Sequence, residues 1–288
     1  MHHAVSISDG LGNQMFQYAF AYALSKKTGD EVRIDPFFFK NGLRQYQLDN
    51  YKIEMDRLVS TKLDYLLGFG PRDGGKFKKL YRNHLISKYY LLVEEKNFMH
   101  YDSAVVEPKT DSFYLGFWQS PKYFDDYYSD IKSQFQRITP LSEEAKKYIK
   151  MVHKETSVSL HIRRTDYIGE DFDSSLNFDY YRTALNGIRD RIGDFKLYVF
   201  SDDKEFVEKS FNLMPYILVS GVSDIDEFEI MRNCNHHIMA NSTFSWWATY
   251  LAEDKGGIVY VPSVTCWKDE FYPDGWNAID TNLIKSRA

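Results

Sequence analysis

From residue 157 to residue 261 the chain alternates short apolar runs with amphipathic stretches, and this rhythm restricts it to very few folds. SVSLHI (157–162) carries Val158, Leu160 and Ile162 at period two and reads as a buried strand. Phe178, Tyr181, Leu185, Ile188 and Ile192 then mark one face of a helix around 178–192. KLYVF (196–200) runs into Ser201, Asp202 and Asp203 and a short helix. YILV (216–219) precedes the helical stretch DEFEIMRNC, and HHIMA (236–240) runs through NSTFS into the helix FSWWATYLAED. GIVYV (257–261) closes the set. Five strands alternating with helices predict a doubly wound α/β domain around a parallel sheet.

The N-terminal end begins the same way. Ala4–Ser8 reads as a strand, DGLGN (9–13) as a turn in which Gly10 and Gly12 allow close backbone approach, and EVRID (31–35) as a second strand. Between them Phe16, Ala19, Phe20, Ala23 and Leu24 repeat at helical spacing, with Lys26 and Lys27 in the last turn and Gly29 as the stop. Residues 40–112 show no clear period, and GFGPRDGG (68–75) reads as a loop. Residues 113–128 form a dense aromatic patch that suits either a core or a sugar-binding cleft, and TPLSEEAKKYIK (139–150) reads as a helix capped by Thr139 or Ser142. The boundary is set at 150, giving domains 1–150 and 151–288.

Composition excludes several classes. A net charge of −5 gives no basic face for nucleic acid. The two cysteines, Cys234 and Cys266, make no disulfide framework or zinc spacing. No apolar run approaches the roughly 20 residues of a membrane span, and the N-terminus lacks the pattern of a signal peptide. The expectation is a cytoplasmic protein, with association at the face of the inner membrane left open.

The chemistry concentrates where strands end. In open α/β sheets, ligands bind outside the carboxyl ends of the strands. Three polar clusters occupy such ends: Arg163, Arg164, Thr165 and Asp166; Ser201, Asp202 and Asp203; and Asn241, Ser242, Thr243, Phe244 and Ser245. Guanidinium groups bind oxyanions bidentately, and helix-start amides with hydroxyls accept phosphate oxygens. A carboxylate at 202 or 203 accepts from a base N–H or a ribose hydroxyl. Together they suit a sugar nucleotide. The competing structural readings are a surface salt-bridge cluster for the arginines and plain helix caps for Asp202 and Ser242. Asp224-Ile-Asp226 and Asp171-Phe-Asp173 have a D-x-D look, but Asp226 with Glu229 also fits a capping pattern, so no metal is expected. His236 and His237 point to opposite faces of a strand and cannot share an ion, and Ser245 lacks a nucleophile elbow.

Taken together, GLGNQMFQYAFAYAL (10–24), FYLGFWQSPKYF (113–124), HIRRTDY (161–167), FSDD (200–203) and HHIMANSTFSWW (236–247) resemble the bacterial α-1,2-fucosyltransferases of glycosyltransferase family 11. The resemblance implies a GT-B-like α/β fold of two facing Rossmann-type domains, with the acceptor on the N-terminal side and a GDP-sugar on the C-terminal side. It implies GDP-β-L-fucose as donor, inversion to an α-linkage, no cofactor and no required metal, and an oligosaccharide or lipid-linked glycan as acceptor, O2 of terminal galactose in particular. Carried over by position, His161, Arg163 and Arg164 resemble donor-binding residues, with Arg163 on the diphosphate. Gly12 and Asn13 lie in the loop near the diphosphate, Asp202 or Asp203 meets the nucleoside, and Asn241–Ser245 neighbour the phosphates. Asp171 matches the position of a candidate acid downstream of the arginines, with Asp166 and Glu170 as alternatives. The sequence departs from the family where a glycine commonly precedes GLGNQ: here Asp9 stands there. A non-catalytic glycan or nucleotide binder, and a transferase of another sugar nucleotide, remain the alternatives.

Overall fold

The computed structural model describes residues 1–41, 44–58, 86–164, 176–263 and 269–281. The chain divides into two compact units, 1–139 with 269–272, and 140–268 with 273–288.

The first unit is built on strands β1 (His2–Ser6), β2 (Glu31–Asp35), β3 (Leu91–Glu94) and β4 (Ser112–Leu115). They form one parallel sheet in the order β2-β1-β4-β3. Helix α1 (Leu11–Thr28) connects β1 to β2 and is buried on almost every side from Leu11 to Leu24. A helix buried all round lies inside a core, and here Phe20 stacks on Trp118 at 4.6 Å. Lys26 and Lys27 lie in the last turn, where cations suit the helix dipole. Gly29 ends the helix at φ 71°, its N–H reaching the Ser25 carbonyl at 2.9 Å. The strand expected at 4–8 lies at 2–6, because its pairing with β2 runs from His2 to Ser6. Residues 269–272 complete this unit: Phe271 is buried against Phe16, and Glu270 bonds Tyr101 N–H and pairs with Lys122.

The aromatic patch at 113–128 turns out to be mostly core. Phe113, Tyr114, Trp118, Tyr123 and Phe124 are all buried, and only Phe117, Tyr127 and Tyr128 keep partial exposure. A short strand, β4, hides inside it, and β3 hides in the stretch whose period was unreadable. Helix α2 (Tyr128–Gln134) follows. The GFGPRDGG stretch lies outside the described residues.

The second unit begins at Pro140, ahead of the boundary expected at 150. The reason is helix α3 (Glu143–Lys154), capped by Ser142 accepting from Ala145 N–H at 3.1 Å, which packs on helix α6 (Asp224–Asn233) of that unit. Its strands are β5 (Ser157–Ile162), β6 (Lys196–Ser201), β7 (Ile217–Leu218), β8 (His236–Ile238), β9 (Val259–Ser263) and β10 (Asn277–Asp280). All pairings are parallel, in the order β10-β9-β8-β5-β6-β7. The sixth strand, NAID, was not expected; it is an edge strand recruited by β9 through Ile279 opposite Pro262. Counted from β5, the order is 3-2-1-4-5-6, the arrangement of dinucleotide-binding folds, with its switch point between the first and fourth strands. Those strands are β5 and β8. One face buries Val158, Leu160 and Ile162 against helix α4 (Phe178–Ile192). The alternate residues Ser159, His161 and His237 are also buried. Helices α5 (Lys204–Ser210) and α7 (Thr243–Tyr250) complete the unit.

Candidate functional site

In the second unit the site follows from register. Ile162 at the end of β5 pairs with Ser201 at the end of β6. One step further along each strand, Arg163 Nε meets Asp202 Oδ2 at 3.2 Å. Asp202 also accepts the backbone N–H of Arg164 at 3.0 Å, and Arg164 Nε lies 3.5 Å from Asp203 Oδ2. The two arginines are therefore matched by two carboxylates in the free protein. Arg164 is braced further: its guanidinium lies 3.5 Å over the Phe206 ring, which stacks nearly parallel on Phe178. Asp203 is the N-cap of α5, accepting from Phe206 N–H at 3.0 Å. Both carboxylates proposed for a nucleoside thus also hold this strand end together.

On the other side of the switch point, Leu160 of β5 pairs with Ile238 of β8. The chain beyond β8 passes through Asn241 into α7, whose N-cap is Ser242, accepting from Phe244 N–H at 3.3 Å. Asn241 and Ser245 are buried, and Ser245 Oγ donates to the Ser242 carbonyl at 3.1 Å. Thr243 and Phe244 are half-buried. The Phe244 ring lies 6.0 Å from the His161 ring. Burial, with Arg163 adding to it, drives the His161 pKa down to about 3, so the imidazole is neutral; its Nδ1 is buried without a partner among the described residues.

Two tyrosines at the start of α4 fasten these strand ends. Tyr181 Oη donates to the His161 carbonyl at 3.1 Å, and Tyr180 Oη to the Met239 carbonyl at 2.7 Å. Sequence periodicity had given Tyr181 only a place on an apolar helix face. Glu227 of α6 was also missed. It pairs with Lys204 at 2.6 Å, and burial raises its pKa, with Lys204 opposing. A carboxylate and a lysine 23 positions apart leave no sequence signal.

Asp224 and Asp226 open α6, but the cap is Ser223, accepting from Asp226 N–H at 3.2 Å. This corrects the expected pairing of Asp226 with Glu229: the box starts three residues earlier, at a hydroxyl. Among the described residues, no group of three or more His, Cys, Asp or Glu is placed to hold a metal ion. Thr165, Asp166, Glu170, Asp171 and Asp173 lie outside the described residues.

In the first unit the GLGNQ loop lies at the carboxyl end of β1. Asp9 takes φ 63°, the left-handed region that favours glycine. A glycine at this position costs nothing sterically, and aspartate is among the few residues that tolerate it. Gly10 has φ −72° and caps α1 without a side-chain bond, and Gly12 is helical. So the backbone freedom of this loop is needed at Asp9 and not at the two glycines. Asn13 Oδ1 accepts from Gln119 Nε2 at 2.8 Å. Gln14 and Gln17, both buried, do the stapling. Gln14 bonds the Asp9 and Gln45 carbonyls and Gln47 N–H. Gln17 bonds Ser8 N–H, Ser8 Oγ and the Gly116 carbonyl. Two glutamines on the apolar face of a helix were the available signal, since buried amides must be bonded.

Residues 2–280 match the family described as Glycosyl transferase family 11. Among similar proteins, an Escherichia coli protein named O-antigen biosynthesis glycosyltransferase WbnK is 31% identical, over 89% of this chain and 92% of its own. A second Escherichia coli protein, named alpha-1,2-colitosyltransferase, is 28% identical over 95% of this chain and 97% of its own. A solved structure titled as POFUT1 in complex with GDP superposes with a TM-score of 0.51 at 11% identity, covering 87% of this chain and 94% of that one. At that identity the likeness concerns the fold alone, which is α/β and GT-B-like.

Proposed function

The chain belongs to glycosyl transferase family 11, and from that membership we propose that it is an inverting fucosyltransferase. It moves L-fucose from GDP-β-L-fucose to a glycan hydroxyl, O2 of a terminal galactose. The observation that carries this reading is the placement of Arg163 and Asn241 three residues beyond the paired Leu160 and Ile238, at the switch point of a 3-2-1-4-5-6 sheet.

The reaction is a single displacement. The acceptor hydroxyl attacks the anomeric carbon from the face opposite GDP, and negative charge grows on the departing diphosphate. In this reading Arg163 and the backbone at the start of α7 take up that charge, and donors fixed in advance need no reorganisation as it develops. Arg164, stacked on Phe206, holds the strand end that carries Arg163. The nucleoside lies against Asp202 and Asp203, and the GLGNQ loop with Asn13 belongs to the acceptor-side unit. A carboxylate takes the acceptor proton, worth about 10²–10⁴ in rate, and Asp171 is the proposed base, with Asp166 and Glu170 next in line.

Arginines stand in for a metal in this scheme, so transfer survives excess EDTA; loss on chelation with rescue by Mn²⁺ refutes that part. No helix among the described residues is long and apolar enough to cross a membrane, which suits work in the cytoplasm on an oligosaccharide or on a lipid-linked glycan at the inner membrane. The relative named for colitosyl transfer makes a colitose nucleotide the competing donor. A panel of sugar nucleotides with lactose as acceptor, read by release of each donor's own nucleotide, decides: GDP-fucose gives the fastest acceptor-dependent release. Faster release with another donor replaces the fucosyl reading, and no release with any donor favours a non-catalytic binder.

A further inference from the structure

Three non-glycine residues adopt left-handed backbone among the described residues: Asp9, Met99 and Trp118. All belong to the first unit, and they follow β1, β3 and β4 respectively, at the carboxyl edge of its sheet. For Met and Trp this conformation is sterically disfavoured, and such outliers persist where the surroundings over-determine them. Each of these two comes directly after a phenylalanine: Phe98 precedes Met99, and Phe117 precedes Trp118. Met99 and Trp118 are buried at 4% and 1%, whereas Phe98 is 46% exposed and Phe117 is partly exposed. The two phenylalanine rings meet edge to face, 5.7 Å apart.

Glu95, the residue after β3, holds this arrangement. Its Oε2 accepts Phe117 N–H at 2.7 Å. Its Oε1 is buried with no partner among the described residues, so the carboxylate is a clamp for the turn and is shut off from solvent on its other side. Room for it exists only because residue 116 is glycine: a Cβ there would come within 2.5 Å of Glu95 Cβ. Gln17 fixes the Gly116 carbonyl at 2.9 Å, and stacking on Phe20 fixes the Trp118 indole. Core packing alone does not account for this. A buried carboxylate, a glycine cut-out and two left-handed bulky residues combine to turn two apolar rings outward at the edge where open α/β sheets bind ligands.

We propose that Glu95 is a positioning residue whose carboxylate clamps the turn after β4, so that Phe117, with Phe98, forms an aromatic wall against which the C–H face of the acceptor's terminal pyranose packs. The inference deepens the fucosyl-transfer reading and rests on it for the identity of the acceptor. A hexopyranose suits the wall chemically, because one face of such a ring presents C–H groups while its hydroxyls point elsewhere.

The test uses the full chain with lactose as the probe. Saturation-transfer NMR on the GDP-bound protein is expected to show the strongest transfer to galactose ring protons, and Phe117→Leu to abolish that pattern while Phe117→Tyr keeps it. In turnover, Phe117→Leu raises the lactose KM about tenfold, with kcat and the GDP dissociation constant unchanged. Glu95→Ala shifts the lactose KM in the same direction, and Glu95→Gln, which still offers an oxygen to Phe117 N–H, restores it. A lactose KM unmoved by Phe117→Leu, or a GDP affinity that falls in step with it, overturns the proposal. Lactose binding with this NMR pattern but no fucosyl transfer sinks the parent reading and leaves the wall standing. Should Glu95→Ala not fold, the Phe117 pair alone decides.

Discussion

Replacing Arg163 by lysine separates charge from geometry. Arg163 Nε is engaged with Asp202 Oδ2 at 3.2 Å, and Asp202 is itself pinned by Arg164 N–H at 3.0 Å, so the carboxylate cannot follow a shortened partner. Guanidinium has five donors on a planar fork and serves a carboxylate with one edge and a phosphate with another. An ammonium is a single centre that must choose, and the partly buried carboxylate beside it is always present. At least one charge-assisted bond to the diphosphate is then lost, worth about 1.5–3 kcal/mol, or roughly 10–150-fold in GDP affinity. Arg163→Lys should therefore be nearly as harmful as Arg163→Ala. Calorimetric titration of each variant with GDP measures this. GDP affinity within about threefold of the wild type in Arg163→Lys refutes the phosphate role.

Other outcomes follow from different parts of the molecule. Asp171→Asn should cut turnover sharply and leave GDP binding intact; normal turnover moves the search for the base to Glu170 and Asp166, and a parallel loss of GDP affinity makes Asp171 an organiser of its loop. Asp9→Gly relieves a left-handed aspartate at the cost of a freer unfolded chain, so its urea midpoint should be unchanged or raised by up to about 1 kcal/mol of stability, whereas Asp9→Val should cost about 2 kcal/mol; a valine variant as stable as the parent contradicts the strain. Burial pushes the His237 pKa down to about 3 from 6.5, so its stabilising contribution is complete above pH 6.5 and is lost as the pH falls toward 3. Over that window His237→Gln should lower the slope of stability against pH by about 1.4 kcal/mol per unit, read from urea midpoints in a pH series; an unchanged slope means the ring is protonated without unfolding.

The sequence alone determined the elements whose signal is local. The 3.6-residue period of α1 and α4, the period-two run of β5, the lysines and Gly29 at the end of α1 and the polar clusters after β5, β6 and β8 were all legible, because each depends on neighbours within a few positions. Short strands were not. LLVE, SFYL and NAID are strands only because a longer parallel partner lies beside them, and four residues carry too little period to announce it. For the same reason the aromatic run at 113–128 could not be divided in advance into core and surface; packing against α1 buried Trp118 and left Phe117 outside. Tertiary structure also decided what the polar residues do. Register set Arg163 against Asp202, a stack of two rings claimed Arg164, and Gln14, Gln17 and Glu95 became brackets for loops far from them in the chain. A sequence records which groups are available to bond, but which of them are already spent on each other depends on distances that only the folded chain sets.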